Sequence, residues 1–211
     1  MRNRIACGRL RKLTVGVAVS IVLSAGALGS VAAVGSTPTD NTAAFANVAS
    51  LATTMQQTLQ TGSWLTMDTN RHALAEAVAP FVGVAPWELV DAWAVADPRR
   101  QTVVYTALAQ ISHPYVSLGD RPDVGFDCSG LTQYSWASAG VSLEHQSEAQ
   151  IGQGHTRTFP SALPGDLLHY PGHIGLFLGA GRAIVHAVNH ETGLAIGIAN
   201  ERTTTVVAPI E

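Results

Sequence analysis

The sequence predicts an α+β fold, with a helical N-terminal region ahead of an antiparallel sheet. Apolar residues recur at helical spacing through much of residues 42–111. From Asp166 onward, apolar and polar residues alternate with a period of two, and Gly-rich breaks interrupt the pattern. Helices followed by strands indicate the α+β class.

Four helices are predicted before residue 112, from apolar spacing and from Pro and Asp at favourable starting positions. They cover 42–60, a segment from Asn70 as a cap to Pro80, a third from Pro86, and about 99–111 after Asp97. A Gly/Asp/Pro loop at 119–125 leads into a fifth helix, from about Cys128 to Ala139. The predicted strands, joined by tight turns as a meander, are 166–170, 173–178, 183–188, 194–199 and 203–208.

The first 33 residues have the pattern of a secretory signal peptide. Five basic residues precede an uncharged apolar run, and Val31-Ala32-Ala33 offers small residues for cleavage. The apolar run is also long enough to serve as a retained membrane anchor, which leaves that alternative open. We expect cleavage after Ala33 and a secreted or cell-wall protein, with transient membrane association through any uncleaved signal.

The remainder divides into a linker (34–41), a helical N-terminal region (42–97) and a core domain (98–211). Without residues 1–33, seven basic residues stand against 15 acidic ones, a net charge of −8. A nucleic-acid-binding protein needs a basic stripe, so this class is not expected. The charge also offers no electrostatic attraction to anionic wall polymers or lipids.

Cleavage would leave Cys128 as a lone thiol in an oxidising compartment, where structural cysteines come in pairs. Such a thiol is either an inert buried filler or a reactive group. Cys128 stands where a loop becomes a helix, and the amide end of a helix is expected to lower a thiol pKa. Asp127 either caps that helix or holds a substrate ammonium group.

A nucleophilic thiol needs a base, and two histidines fall on one face of neighbouring predicted strands. A two-residue loop at Gly179-Ala180 would place His173 directly opposite His186, whereas a longer loop would make them diagonal but still within reach. One imidazole could face the thiol while the other fixes its tautomer.

Zinc binding by Cys128, His173 and His186 is the alternative use of these side chains. The sequence contains no HxxxH or CxxC spacing, and no acidic partner is evident near these residues. We therefore expect neither a metal nor an organic cofactor.

The runs PY, GFDCSGL, AGVSL, PGDLLHY and HIGLFLGAGRAIVHA resemble the NlpC family of papain-like cysteine peptidases, which are bacterial cell-wall hydrolases. The resemblance covers about residues 98–190 and implies a nucleophile helix packed on an antiparallel sheet. It further implies that Cys128 is the nucleophile, His173 the general base and His186 the residue that orients the base.

The resemblance also assigns three neighbouring residues. Tyr115 matches a tyrosine that assists at the oxyanion, and Asp127 and Ser129 match residues that meet the amino end of the substrate. Two segments depart from the family pattern: 112–119 lacks an aromatic residue and a glycine, and 145–147 reads HQS where the family has an arginine.

The expected function is hydrolysis of peptidoglycan stem peptides, at the bond between γ-D-glutamate and a diamino acid, through a thioester. Two alternatives stay open: a catalytically silent wall-binding or scaffold protein, and an amidase or acyltransferase that uses the same thioester. The helices of 42–97 bring a further hypothesis, that Trp64, Trp87 and Trp93 cover the cleft and keep the enzyme inactive; ordinary packing is the alternative.

Overall fold

The computed structural model describes residues 41–200 and 205–210. The predicted signal peptide and residues 34–40 of the linker lie outside this part of the chain. Within the described part, no helix combines the length and apolar character needed to cross a bilayer. The division of the chain at residues 33, 41 and 97 stays a prediction.

The helical half contains the four expected helices, and two short helical elements and the nucleophile helix follow. The α-helices are α1 (Thr42–Thr61), α2 (Trp64–Val82), α3 (Pro86–Val95), α4 (Pro98–Ala109), α5 (Cys128–Ala137) and α6 (Ser147–Gln150), with a 3₁₀ turn at Phe159–Ser161. The prediction that Asn70 caps the second helix is wrong. Asn70 lies within α2, and its side-chain amide donates to the Thr58 hydroxyl of α1 at 3.0 Å.

In the described part of the chain, eight strands form two sheets. They are β1 (Asp120–Arg121), β2 (Gly125–Phe126), β3 (His155–Arg157), β4 (Leu167–Tyr170), β5 (His173–Phe177), β6 (Ala183–Asn189), β7 (Gly193–Ile198) and β8 (Thr205–Ala208). Strands β1 and β2 pair with each other, and the large sheet has the order β3-β8-β4-β5-β6-β7. The predicted meander is therefore correct only for β4 to β7, because β8 crosses back to pair with β4 and β3.

Helices and sheet share one hydrophobic core, which confirms the predicted α+β fold with a nucleophile helix on an antiparallel sheet. Trp136 of α5, Ile174 of β5 and Leu89 of α3 are completely buried in this core. The other face of the sheet carries a smaller apolar cluster around Phe177 and Ile184. The core thus fixes α5 against the strands that carry the two histidines.

A buried ion pair connects helix α4 to the residue before β4. Arg100, only 1% exposed, donates to Asp166 Oδ1 at 2.6 Å and to the Pro164 carbonyl at 3.0 Å. Its other terminal nitrogen donates to the Ile210 carbonyl at 2.9 Å. A buried charge is tolerated only with such partners, so Arg100 links three distant parts of the chain.

The hypothesis that three tryptophans cover the cleft is wrong. Trp93 is buried, and its indole N–H donates to the Leu178 carbonyl at 2.6 Å. Trp64 and Trp87 are 77% and 64% exposed. None of them lines the pocket beside the two histidines. Ordinary packing accounts for Trp93, because its ring also meets Tyr105 edge to face.

Candidate active site

Helix α5 begins at Cys128 because Asp127 caps it. Asp127 has extended backbone angles, and its Oδ1 accepts the Gly130 amide at 2.7 Å. The loop before the helix packs so closely that a Cβ at Gly130 would lie 2.0 Å from the Gly119 carbonyl oxygen. This close approach explains why the sequence DCSG has a glycine at its fourth position. Cys128 itself is partly exposed at the first turn of the helix.

The second oxygen of Asp127 holds the preceding loop. Asp127 Oδ2 accepts the Leu118 amide at 2.9 Å, and the Asp127 amide donates to the Gly119 carbonyl at 2.9 Å. Leu118 has φ 60° and is 81% exposed. A leucine in this left-handed conformation is strained, and the hydrogen bond to Asp127 helps to keep it there.

Asp127 has two further partners, and both of them contact Oδ1. Ser129 Oγ donates to Oδ1 at 3.0 Å, and His145 Nε2 lies 3.0 Å from the same atom. Capping is thus observed for Asp127, which is 8% exposed. Contact of Asp127 and Ser129 with the substrate's amino end stays a prediction. His145, which begins the segment where the family pattern has an arginine, contacts the same carboxylate.

The two histidines lie on the same face of the sheet and form a hydrogen bond. His173 Nε2 is 2.7 Å from His186 Nδ1. The directly opposed register is wrong, however, since β5 and β6 pair as Leu176 with Val185. His186 lies across from Gly175, where an added Cβ would be 2.8 Å from the His186 Cβ. The histidines are therefore diagonal, as expected for a longer loop.

The loop between β5 and β6 is longer than two residues because of its own hydrogen bonds. The Leu178 amide donates to the Ala183 carbonyl at 2.9 Å, and the Ala183 amide donates to the Ala180 carbonyl at 3.0 Å. Gly179 and Gly181 supply the positive φ angles of this turn, 107° and 53°.

Cys128 lies beside the strand that begins with His173. The backbone amide of Ile174 hydrogen-bonds the sulfur, which favours the thiolate, as do the amides of Ser129 and Cys128. Burial nevertheless raises the pKa of Cys128, and the charge of Asp127 acts in the same direction. The expected lowering of this pKa is therefore wrong, because desolvation outweighs the amides of the helix start.

Both imidazoles are shifted towards the neutral form. Burial lowers the pKa of His173, with a further contribution from the charge of His169. Burial lowers the pKa of His186 to about 4, and the charge of His173 adds to it. When both imidazoles are neutral, either His173 Nε2 or His186 Nδ1 carries the hydrogen that joins them. If His173 is the donor, its Nδ1 keeps a lone pair with which to receive a proton.

Tyr170 and an apolar pocket adjoin the base. The Tyr170 ring stacks on the His173 imidazole with centroids 5.1 Å apart and planes inclined by 16°. Burial raises the pKa of Tyr170, and the charge of Cys128 adds to the shift. The pocket holds about 730 Å³ and is lined by Tyr170, Pro171, His173, His186, Val188, Ile198 and Asn200. It gives a ligand access to the two imidazoles.

Tyr115 also lies near the nucleophile. Its backbone forms an isolated parallel β-bridge with Phe126. Its ring meets the His190 ring edge to face, with the two centroids 4.8 Å apart. Burial raises the pKa of Tyr115, followed by the charges of Cys128 and Asp127. Tyr115 is thus close enough to feel charge at the sulfur, and its oxyanion role stays a prediction.

Comparisons with known proteins identify a family for the part of the chain that carries these residues. The NlpC/P60 family model matches residues 112–205, which include Cys128, His173 and His186. Residues 112–205 thus match the NlpC/P60 domain, which spans less than half of the chain. The resemblance to the NlpC family seen in the sequence is thereby confirmed.

Curated relatives share this domain over part of their length. Over 90 residues the chain is 37% identical to the bifunctional muramidase/DL-endopeptidase CwlT of Bacillus subtilis strain 168, covering 39% of this chain and 27% of CwlT. Over 99 residues it is 37% identical to the gamma-DL-glutamyl hydrolase of the same organism, covering 42% of this chain and 24% of that protein. The chain thus spans about a quarter of each of these relatives.

A solved structure extends the likeness in fold beyond the NlpC/P60 domain. The peptidoglycan hydrolase RipB of Mycobacterium tuberculosis superposes with a TM-score of 0.50 at 21% identity. The superposition covers 82% of this chain and 92% of RipB. At this identity the likeness concerns the fold alone.

Sequence reasoning missed the contacts that support the NlpC/P60 site. His169 Nε2 lies 3.8 Å from Glu148 Oε1. His145 reaches Asp127, and Tyr170 stacks on the base. Only the position of Tyr170, three residues before His173 with a Pro-Gly turn between them, is a local signal. The other contacts join distant segments.

Proposed function

We propose that this protein is a cysteine peptidase that hydrolyses the peptide stems of peptidoglycan, at the bond between γ-D-glutamate and a diamino acid. The observation that carries the proposal is the hydrogen bond between His173 and His186, together with the contact of the partly exposed Cys128 with Ile174, the residue that follows His173. The names of the relatives support the substrate class, since one is a DL-endopeptidase and another a gamma-DL-glutamyl hydrolase.

Acylation begins from a neutral thiol. Because the pKa of Cys128 is raised and that of His173 is lowered, the sulfur loses its proton to His173 as it attacks the substrate carbonyl carbon. His173 donates from Nε2 to His186 Nδ1, so the proton from the thiol goes to His173 Nδ1. The resulting imidazolium remains hydrogen-bonded to the neutral His186.

The imidazolium then returns that proton to the leaving amine. The carbon–nitrogen bond breaks, and the acyl group remains on Cys128 as a thioester. Water attacks the thioester carbonyl, His173 accepts a proton from the water, and the Cys128 thiolate leaves and is reprotonated. The Cys128 backbone amide and the Tyr115 hydroxyl are the proposed donors to the oxyanion.

We also propose export through residues 1–33, because the substrate lies outside the cytoplasm and the segment has the charge and apolar pattern of a signal peptide. Determination of the N-terminal sequence of the protein recovered from the culture medium or cell wall tests this. A first residue near Val34 supports cleavage, whereas a protein that stays in the cytoplasm with Met1 contradicts export.

Digestion of purified muropeptides, followed by mass spectrometry, tests the activity. The wild-type protein should release products whose masses correspond to cleavage between D-glutamate and the diamino acid. Cys128→Ala should leave the substrate intact. Equal cleavage by both proteins would reject the assignment, and products formed by transfer to an added amine would favour the acyltransferase alternative.

A further inference from the structure

Glu148 reaches from helix α6 to the turn immediately before the proposed base. Its Oε1 atom accepts a hydrogen bond from the Gly172 amide at 3.1 Å. The same oxygen lies 3.8 Å from Nε2 of His169, a buried residue of β4. A single carboxylate oxygen therefore contacts both the turn and the strand that leads into it.

The other oxygen of Glu148 is held by its own helix. Oε2 accepts from the Gln146 side chain at 2.6 Å and from the Ser147 hydroxyl at 2.7 Å. Helix α6 is attached to the nucleophile helix, since the Gln150 side-chain amide donates to the Ser129 carbonyl at 2.8 Å. Glu148 thus links the start of α5 to the turn before β5.

In the turn at 170–173, the backbone amide of Gly172 donates to an acceptor that lies outside the turn. Gly172 has φ 77° and follows Pro171, and Tyr170 and His173 form the last residue pair of the hairpin. Its amide points to Glu148. Because His173 is the first residue of β5, any movement of this turn displaces the imidazole directly.

We propose that Glu148 is a positioning residue, which holds the turn through Gly172 and so keeps the His173 imidazole at a fixed place relative to Cys128. This inference rests on the proposed function. It differs from a role in general stability, because Glu148 is half exposed and contacts the site from outside the core.

Three substitutions of Glu148 separate the effect of its hydrogen bond from the effect of its charge. Glu148→Gln removes the charge but keeps an oxygen that can accept from the Gly172 amide. Glu148→Ala removes both, and Glu148→Ser repeats this truncation with a polar side chain. Glu144→Ala is the matched control, because Glu144 is another exposed carboxylate, four residues earlier. Each full-length variant is assayed for kcat and KM on a disaccharide tripeptide, and for hydrogen exchange of the Gly172 amide.

We expect Glu148→Ala and Glu148→Ser to lower kcat about tenfold with little change in KM, because small displacements of a reacting group are costly. Glu148→Gln should recover most of the kcat, and only the truncations should speed exchange at Gly172. Unchanged kcat in the truncations, or an equal loss in Glu148→Gln, would overturn the inference. Absence of cleavage by the wild-type protein would instead reject the proposed function. Even then, unaltered hydrogen exchange of the Gly172 amide in the truncated variants would reject the proposal that Glu148 holds this turn.

Discussion

His186 Nδ1 lies 2.7 Å from His173 Nε2, so the second imidazole engages the first on the side away from the proposed reacting nitrogen. This relationship predicts that His186 acts as a hydrogen-bond acceptor. An asparagine can present its side-chain oxygen near the position of Nδ1, whereas a leucine cannot accept a hydrogen bond.

His186→Leu should therefore lower kcat/KM on muropeptides about 100-fold, and His186→Asn should recover at least part of this loss. Steady-state kinetics on one defined muropeptide measure both. If His186→Leu retained wild-type kcat/KM, the orienting role of His186 would be lost.

The charge state of the resting thiol is open to a chemical test. Because burial raises the pKa of Cys128, the thiolate fraction stays low at neutral pH. The rate of alkylation by iodoacetamide should keep rising beyond the ordinary thiol pKa of about 8.5. A rate that is flat from about pH 5 to 8 would reveal a preformed thiolate–imidazolium pair. Cys128→Ser provides the blank for alkylation elsewhere.

The pH dependence of activity reports on His173. The base must be unprotonated in the free enzyme, and burial, followed by the charge of His169, lowers its pKa from the ordinary value of 6.5. Activity is therefore retained as pH falls to 6.5 and is lost only as pH drops through the lowered value. The acid limb of kcat/KM should have its midpoint below pH 6.5. A midpoint above that value would contradict the desolvated environment described for His173.

Arg100 should contribute strongly to stability without contacting the site. Arg100→Ala leaves the fully buried Asp166 without its closest cationic partner, and breaking such a pair costs about 3–5 kcal/mol. Urea denaturation of the two proteins measures the difference in the free energy of unfolding. Arg99→Ala is the control, because its ion pair with Asp97 is exposed and should change stability by less than about 1 kcal/mol. Equal stabilities of the two variants would contradict the account.

The features predictable from sequence were those with local causes. Asp127 caps α5 by accepting the amide of Gly130, only three residues later in the sequence. The helix start at Cys128 could therefore be predicted from the local sequence. The period-two alternation fixed the face of each histidine within its own strand, and the short Gly-containing turn between the strands indicated that the two faces coincide. Pro86 and Asp97 marked helix starts for the same local reason.

Non-local features were not predictable in the same way. The pairing of β8 with β4 joins segments that are far apart in the sequence, so no local pattern reveals it. The raised pKa of Cys128 depends on burial by distant segments, which the position at a helix start does not reveal. The contacts of Glu148 with Gly172 and of His145 with Asp127 join residues 24 and 18 positions apart.

Detection of an acyl group on Cys128 tests whether the reaction passes through a thioester at this residue. Muropeptide and protein are mixed, quenched in acid within the first turnover, and examined by intact-mass spectrometry and peptide mapping. A thioester mechanism predicts a mass increase equal to the γ-glutamyl fragment, located on Cys128 and missing from Cys128→Ala. Muropeptide cleavage that proceeds equally in Cys128→Ala, or an acyl group attached to another residue, would contradict it.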